Sequence, residues 1–534
     1  MTDLLTAAQM RAIEQAAIES GAVTGLELME RAGKGVVEAV IAWRPELANA
    51  PRRALVLCGP GNNGGDGFVV ARLLIQRGWE VDVCLYGDAQ KLPPDAAQNA
   101  ERWRELGAVR LWDDASIAAR LDSGIDDLVV DALFGTGLSR SMPDDTTRTG
   151  HAFSPSVFEG DRPRHVAIDL PSGICSDSGA NLGGALPANL TVTFHSAKLG
   201  HVLSPMTALN GGPAWCGDLR VADLGLLRAG RHSAGQNVVQ RTSPPSGRLS
   251  KRLPSQHKFN HGHALILSGA VGKGGAARLA ARGALRVGAG VVSVGCPPAA
   301  LIENAARLDA VMLRALAGAS DLREALADPR ISALCLGPGF GMGARCRDMV
   351  SVALSARAER SGSEPTLGVV LDADALTSFE EAPEALFRLT DERCVLTPHQ
   401  GEFGRLFPDI IAKLQEPALR GPAYSKVDAT REAAARARCT VLFKGADTVI
   451  ADRSGCCVVN SAHYERAAPW LATAGSGDVL AGVITGLLAR GCPPRQAAET
   501  AAWLHVECAL KFGPGLIAED LAEQLPTVFR DLSL

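Results

Sequence analysis

The stretch Cys58–Leu74, CGPGNNGGDGFVVARLL, constrains the fold of this chain most. An apolar run, Ala54-Leu55-Val56-Leu57, precedes it, and an apolar pattern of helical spacing follows. Between them lie Gly59, Gly61, Gly64, Gly65 and Gly67. Strand, glycine turn and helix in that order open a parallel βαβ unit whose helix N-terminus favours anions. Gly59-x-Gly61-x-x-Gly64 matches a dinucleotide-binding turn, with Glu80 or Asp82 near the expected acidic offset of about 20 residues. Asp66 does not suit a pure phosphate cradle, because a carboxylate repels phosphate. Taken alone it reads as a cap for the following helix. Among these glycines and Asn62 and Asn63, it also reads as a hydrogen-bonding group for ligand hydroxyls or amides.

The same pattern recurs. DDLVVDALFGTGLSR and HVAIDLPSG each run from an apolar strand into a polar turn containing glycine. In an open parallel sheet such turns gather beyond the carboxyl ends of the strands, where ligands bind. Residues 1–45 carry apolar residues at helical spacing. Around 223–254 the pattern breaks into a polar stretch containing Pro244-Pro245, read as a linker. A second α/β region follows, with strands in HALILSGA, VVSVGC, SALCLGPGFG, LGVVLDADAL, RCVLTPHQGEF and CTVLFKGADTVIA. Its motif order differs from that of the first half, so the halves are two different domains.

At 534 residues the chain exceeds the roughly 250–300 that one core supports. A net charge of −4 and 4% aromatics argue against nucleic acid or an anionic membrane as the main partner. The 13 cysteines form no C-x-x-C pair and read as reduced thiols, with Cys456-Cys457 merely adjacent. No uncharged apolar run approaches the ~18 residues of a membrane helix, and MTDLLTAAQM lacks a secretory pattern, so a cytoplasmic enzyme is expected. His257, His261 and His263 lack nearby Cys or acidic partners. Lys34 and Lys273 precede glycine, so neither belongs to a P-loop.

GNNGGDG, DALFGTGLSR and IDLPSG, in this order and spacing, resemble the YjeF N-terminal domain, a family of NAD(P)H-hydrate epimerases; the resemblance covers about residues 1–222. It implies that Asn62, Asn63, Gly64, Gly65 and Asp66 contact the hydrated nicotinamide nucleotide. It further implies that Gly135, Thr136, Gly137, Leu138, Ser139, Arg140 and Ser141 hold its phosphates and that Asp169 works as acid or base on the hydrated ring. Asn63, Asp131 and Ser172 match positions that bind potassium in that family. An amide, a carboxylate and a hydroxyl are hard oxygen ligands.

In the second half, Ala474-Gly475-Ser476-Gly477-Asp478 opens an apolar helix and leaves backbone N–H groups free for an anion. Asp478 reads either as a first-turn aspartate favoured by the helix dipole or as a base beside a phosphate. Lys444 ends an apolar strand in a chain with 10 lysines against 44 arginines, and reads as a point charge for a nucleotide. GHALILSGAVGKGG, GPGFG, LDADAL, LTPHQGEF, KGADT and AGSGDVLAG resemble the ribokinase-like carbohydrate kinases, and more closely the ADP-dependent NAD(P)H-hydrate dehydratases, over about 255–530. The resemblance implies that Ala276, Gly339 and His399 line the hydrate site, with Asp478 at the substrate. It implies that Lys444, Gly445, Ala446, Asp447, Thr448 and Gly477 bind ADP, with magnesium on the phosphates. The segment HYERAAPWLAT stands where many dehydratases carry G-N-P-G-M-A before the glycine turn.

The expectation is therefore a Rossmann-like doubly wound domain at 1–222, a linker at 223–254 and a ribokinase-like α/β/α domain at 255–534. The first would interconvert the epimers of hydrated NAD(P)H, with K+; the second would dehydrate the S form with ADP. A homo-oligomer acting on small nucleotides, without nucleic acid or membrane, is expected. The alternative is a small-molecule kinase with a regulatory nucleotide-binding domain. Weaker readings are a non-enzymatic first domain and a plain Rossmann dehydrogenase.

Overall fold

The computed structural model describes residues 2–146, 149–150, 164–205, 211–226, 237–245, 249–251, 257–360 and 366–533. The chain divides into two units. One is Thr2–Val239 with Gln415–Lys426, and the other is Gln240–Leu414 with Val427–Leu534.

The first unit opens with α1 (Ala7–Glu19) and α2 (Gly25–Trp43). Thr6 and Thr24 begin them with reciprocal capping boxes: each threonine accepts an N–H three residues on, and Gln9 or Glu27 accepts the cap's own N–H. Such a cap contributes about 1 kcal/mol. The strands are β1 (Arg53–Cys58), β2 (Glu80–Leu85), β3 (Val109–Leu111), β4 (Leu128–Ala132), β5 (Arg164–Ile168), β6 (Leu190–Phe194) and β7 (Asp218–Ala222). They form one parallel sheet in the order β3-β2-β1-β4-β5-β6-β7. Along β1, Ala54, Val56 and Cys58 join one apolar cluster, while Leu55 and Leu57 join another. Both faces are therefore covered, which is why the run reads as continuously apolar. The order reverses between β1 and β4, and α3 (Asn62–Ile75) starts beside that switch point.

Glu80 begins β2, at the edge away from the glycine loop, and pairs with Arg53 at 2.8 Å. Asp82 pairs with Arg110 and Arg120 at 2.9 and 2.6 Å. Neither acid stands where a dehydrogenase places its ribose-binding carboxylate.

In the second unit the strands are β8 (His263–Leu267), β9 (Val291–Cys296), β10 (Met312–Ala315), β11 (Ile331–Leu336), β12 (Gly368–Leu371), β13 (Cys394–Leu396), β14 (Thr440–Phe443), β15 (Asp447–Ala451) and β16 (Cys457–Ser461). Their order is β10-β9-β8-β11-β12-β13-β14-β15-β16, parallel through β14 and antiparallel beyond. CTVLFKGADTVIA is thus a hairpin rather than one strand, with Asp447 and Thr448 opening the return strand. Gln240 and Arg241, inside the expected 223–254 linker, pair with Val458 and Val459 at the sheet edge. Residues 227–236, 246–248 and 252–254 of that stretch lie outside the described residues.

Helices α4 (Gly275–Arg286) and α5 (Ser476–Ala489) cross at very short range. A Cβ on Gly482 would lie 2.0 Å from the Ala280 carbonyl, and one on Gly486 2.7 Å from that of Ala284. Glycine one turn apart on one helix, facing alanine one turn apart on the other, lets the backbones approach. Among the described residues, no helix is long and apolar enough to cross a membrane.

Candidate active sites

Three loops meet at the switch point of the first sheet. A Cβ on Gly59 would fall 1.7 Å from the Leu133 carbonyl, and one on Gly64 would fall 2.0 Å from that of Gly59. The loops after β1 and β4 therefore interlock through absent side chains. Gly65 faces the Met29 sulfur in the same way, whereas Gly61 and Gly137 face open space. Gly135 lies within reach of both Asn63 and Asp169: a Cβ there would be 2.9 Å from Asn63 Oδ1 and 3.0 Å from Asp169 Oδ2. Asn63, Gly135 and Asp169 thus come together from three loops.

Asp169 holds a left-handed backbone, φ +67°, uncommon outside glycine and strained here at the end of β5. Its carboxylate accepts from the Thr136 N–H at 3.1 Å and from Thr193 Oγ1 at 2.9 Å, and pairs with Lys198 Nζ at 3.1 Å. Lys198 is 1% exposed and also donates to Thr193 Oγ1 at 2.8 Å. Burial pushes the Asp169 carboxyl up, but Lys198 and the loop hydrogen bonds outweigh it and hold the group below its usual value. His201, fully buried with its pKa pushed down to about 4, accepts the Lys198 N–H at Nδ1 and donates from Nε2 to the Asp169 carbonyl.

Asp66 is not a cap: Gly61 holds that position, and Asp66 sits past the first turn of α3. Burial, then Asp169 and Glu14, drive its pKa well up. Burial likewise raises Glu14. Lys198 keeps Asp169 ionised, and burial with the like charge of Asp169 pushes Asp66 and Glu14 towards the neutral form. Lys198 and Glu14 were not found from the sequence; the scarcity of lysine was the one available signal.

Asp131 and Ser172 form a second knot. Ser172 Oγ donates to Asp131 Oδ1 at 2.6 Å, and the Ser172 N–H donates to Oδ2 at 2.8 Å. Burial raises Asp131 to about 6 against those bonds. Among the described residues, the buried Asn63 side-chain nitrogen has no partner. A half-turn of that amide would present its oxygen instead. The chemistry of these groups, a buried carboxylate, a hydroxyl and an amide with an orphaned end, fits a hard cation.

In the second unit Gly339 again joins two loops at the switch between β8 and β11. Its φ is +62°, and a Cβ there would lie 3.3 Å from Ala276 and 2.9 Å from the Lys273 carbonyl. Lys444 pairs with Asp372 at 2.6 Å, and a Cβ on Gly477 would lie 3.3 Å from Lys444 Nζ. Burial would lower Lys444, but Asp372 and Glu402 raise it. Asp478 is pushed up to about 6 by burial and by Asp372, with Lys444 opposing. Gly475, at φ +88°, turns the chain into α5 where a Cβ would meet Leu279 at 2.7 Å.

His399 caps the helix Gln400–Leu406, accepting the Gly401 N–H at 3.0 Å, with its ring 56% exposed and 3.2 Å from Glu402. Glu402 is raised by burial first. Lys444, Gly445, Ala446, Thr448 and Gly477 line a cavity of about 550 Å³; Asp447 does not, being buried at the start of β15. The HYERAAPWLAT segment supplies one wall through His463, Ala468, Pro469 and Leu471. Asp372 and Glu402 lay inside LDADAL and LTPHQGEF, but nothing in the spacing assigned them to Lys444.

Two separate glycine-lined sheet edges, each carrying a buried aspartate and lysine, define a two-site α/β enzyme of nucleotide chemistry. The family model for the YjeF-related protein N-terminus matches residues 25–200, and that for NAD(P)H-hydrate dehydratase matches residues 264–526. A bifunctional NAD(P)H-hydrate repair enzyme of Moorella thermoacetica is 35% identical over 556 residues, covering 99% of this chain and 97% of that protein. An NAD(P)H-hydrate epimerase of Rhodobacter capsulatus is 51% identical over 206 residues, 38% of this chain and 92% of its own length. Among solved structures, the ADP/ATP-dependent NAD(P)H-hydrate dehydratase of Bacillus subtilis co-crystallised with ATP and Mg2+ is 28% identical. It covers 54% of this chain and 94% of its own, at a TM-score of 0.43. The chain belongs to the family of bifunctional NAD(P)H-hydrate repair enzymes.

Proposed function

We propose that the first unit epimerises hydrated NAD(P)H and that the second dehydrates the S epimer with ADP, giving NAD(P)H, AMP and phosphate. Membership of the family supports the pair of activities. The observation that carries the residue assignment is the repeated device of a buried lysine beside carboxylates at the carboxyl edge of a parallel sheet.

In the epimerase, Asp169 is ionised and takes the proton of the ring hydroxyl as the C–N bond at the hydrated carbon breaks to leave a carbonyl, the electron pair resting on the ring nitrogen and its conjugated carboxamide. The nitrogen then re-forms that bond on the other face and Asp169 returns the proton to the oxygen. Asp66, held towards the neutral form, donates a hydrogen bond to a polar group of the nucleotide. Gly135–Ser141 receive its phosphates. Asn63, Asp131 and Ser172 would hold K+, which supplies positive charge beside the loops.

In the dehydratase, ADP occupies the cavity lined by Lys444–Ala446, Thr448 and Gly477, and the hydrate lies against Ala276, Gly339 and His399. Asp478 accepts the proton of the ring hydroxyl as that oxygen takes the β-phosphoryl group of ADP and AMP leaves. Loss of phosphate from the hydrated carbon and of a proton from the adjacent ring carbon then restores the dihydropyridine. Mg2+ would neutralise charge on the nucleotide phosphates. The solved relative bound to ATP and Mg2+ supports nucleotide use without separating ADP from ATP.

The test follows the return of NADH absorbance from mixed epimers of hydrated NADH with ADP and Mg2+, with ATP, and with no nucleotide. Recovery with ADP beyond the S fraction, faster than spontaneous epimerisation, is expected. A phosphorylated product without absorbance would move the chain to the kinase reading.

A further inference from the structure

The first unit includes a segment from late in the chain, Gln415–Lys426. The Gly421 N–H donates to the Ser139 carbonyl at 3.1 Å, and Arg420 pairs with Arg140 in an antiparallel bridge. A Cβ on Gly421 would lie 3.1 Å from the Leu138 carbonyl and 3.7 Å from Cys175 Sγ, and the Ala423 N–H points at that sulfur from 3.4 Å. The segment therefore runs along residues 138–140, within the loop assigned to the phosphates.

Opposed residues of an antiparallel bridge have Cβ atoms roughly 4.5–5.5 Å apart, and like charges placed so are destabilising. Arg140 and Arg420 are both exposed, and among the described residues neither has a carboxylate within 4.0 Å. Arg52, Arg72, Arg110 and Arg120 of the same unit all have one. Bridge partners send their side chains to the same face, so two unneutralised arginines are within reach of one doubly charged anion, and their planar forks match phosphate oxygens.

We propose that Arg420 joins Arg140 in a two-guanidinium clamp on the phosphates of the dinucleotide in the epimerase site. The proposal rests on the reading of Gly135–Ser141 as the phosphate loop. Phosphates do not change during epimerisation, so the clamp acts equally on ground and transition states and sets KM rather than kcat.

The experiment uses the full chain, (R)-hydrated NADH and no added nucleotide, with the epimers separated by chromatography. Arg420→Ala and Arg140→Ala are each expected to raise KM roughly tenfold at unchanged kcat, the size of one solvent-screened charge-assisted hydrogen bond. Arg420→Lys should recover part of the loss. Arg420→Gln keeps the backbone pairing with a long side chain and should behave as Arg420→Ala. ADP-dependent dehydration of the pure S epimer should be unchanged in all of them, which reports intact folding. A raised KM in Arg140→Ala with normal KM in Arg420→Ala and Arg420→Gln would remove Arg420 and leave the phosphate loop standing. Normal KM in every variant would overturn both. A fall in kcat at constant KM on replacing Arg420 would also overturn the clamp.

Discussion

The two sites use the same parts and tune them in opposite directions. In the first unit Lys198 touches Asp169 itself, so the aspartate is held below its ordinary value despite burial. In the second unit Lys444 pairs with Asp372, and burial, then the like charge of Asp372, carries Asp478 up to about 6. Burial pushes both aspartates up, and the position of one ammonium, against the aspartate itself or one carboxylate away, sets whether that push is outweighed. Asp169 is thereby a carboxylate across the neutral range, whereas Asp478 sits near the pH at which it can both take and return a proton.

The comparison breaks most directly with single substitutions. Asp478→Asn should lower dehydration by 10²-fold or more, in the range of lost acid–base catalysis, while epimerisation by the same protein persists. Asp169→Asn should do the reverse. Full dehydration by Asp478→Asn, measured as NADH absorbance from the S epimer, would remove Asp478 from the chemistry.

Lys198→Met addresses tuning rather than chemistry. Without the ammonium, burial dominates and the Asp169 pKa rises. The acid limb of the epimerisation profile should then move to higher pH, an effect that a loss of packing alone would not produce. Lys444→Met should also raise Asp478, since Lys444 opposes the rise there, and should weaken nucleotide binding as well.

The unsubstituted enzyme offers a gentler test. Dehydration should fall about tenfold per pH unit below about 6, as Asp478 takes a proton. Asp169 is held lower, but the K+ response expected of epimerisation should fade below about pH 6, where Asp131 protonates and loses its charge for a cation. A K+ response unchanged at pH 5 would remove Asp131 from the donor set. The smallest effect is expected from Thr24→Ala, which deletes the α2 cap. It should cost the first unit about 1 kcal/mol in urea unfolding and leave both activities in place.

The glycine loops were legible in the sequence because their requirement is local. Gly59 and Gly64 exclude side chains over a few residues of chain, and the strand-turn-helix order states where they sit. Asp169 and Asp478 were legible for the same reason, each lying in or beside such a turn. Lys198 was not, since its partner comes from across β6, a strand in a stretch where neither motif nor charge pattern pointed to it. Of the two readings Asp66 allowed, the cap fails because proximity to a helix start does not fix the register; Gly61 takes that place. Asp447 fell with KGADT into the nucleotide set, but the hairpin turns it inward and leaves its neighbours on the cavity.

The glycine-to-alanine crossing of α4 and α5 has a mechanical consequence. Ala276 stands at the start of α4 and Asp478 at the start of α5, so the groups expected at the hydrate are carried on two rods in backbone contact. Neither rod can slide or tilt without driving a carbonyl into the other. The groups expected at the hydrate are therefore carried at a fixed separation, while the cavity wall at 463–472 stands on anchors of its own, Arg466 on Glu507 and the Leu471 carbonyl on Ser476 Oγ.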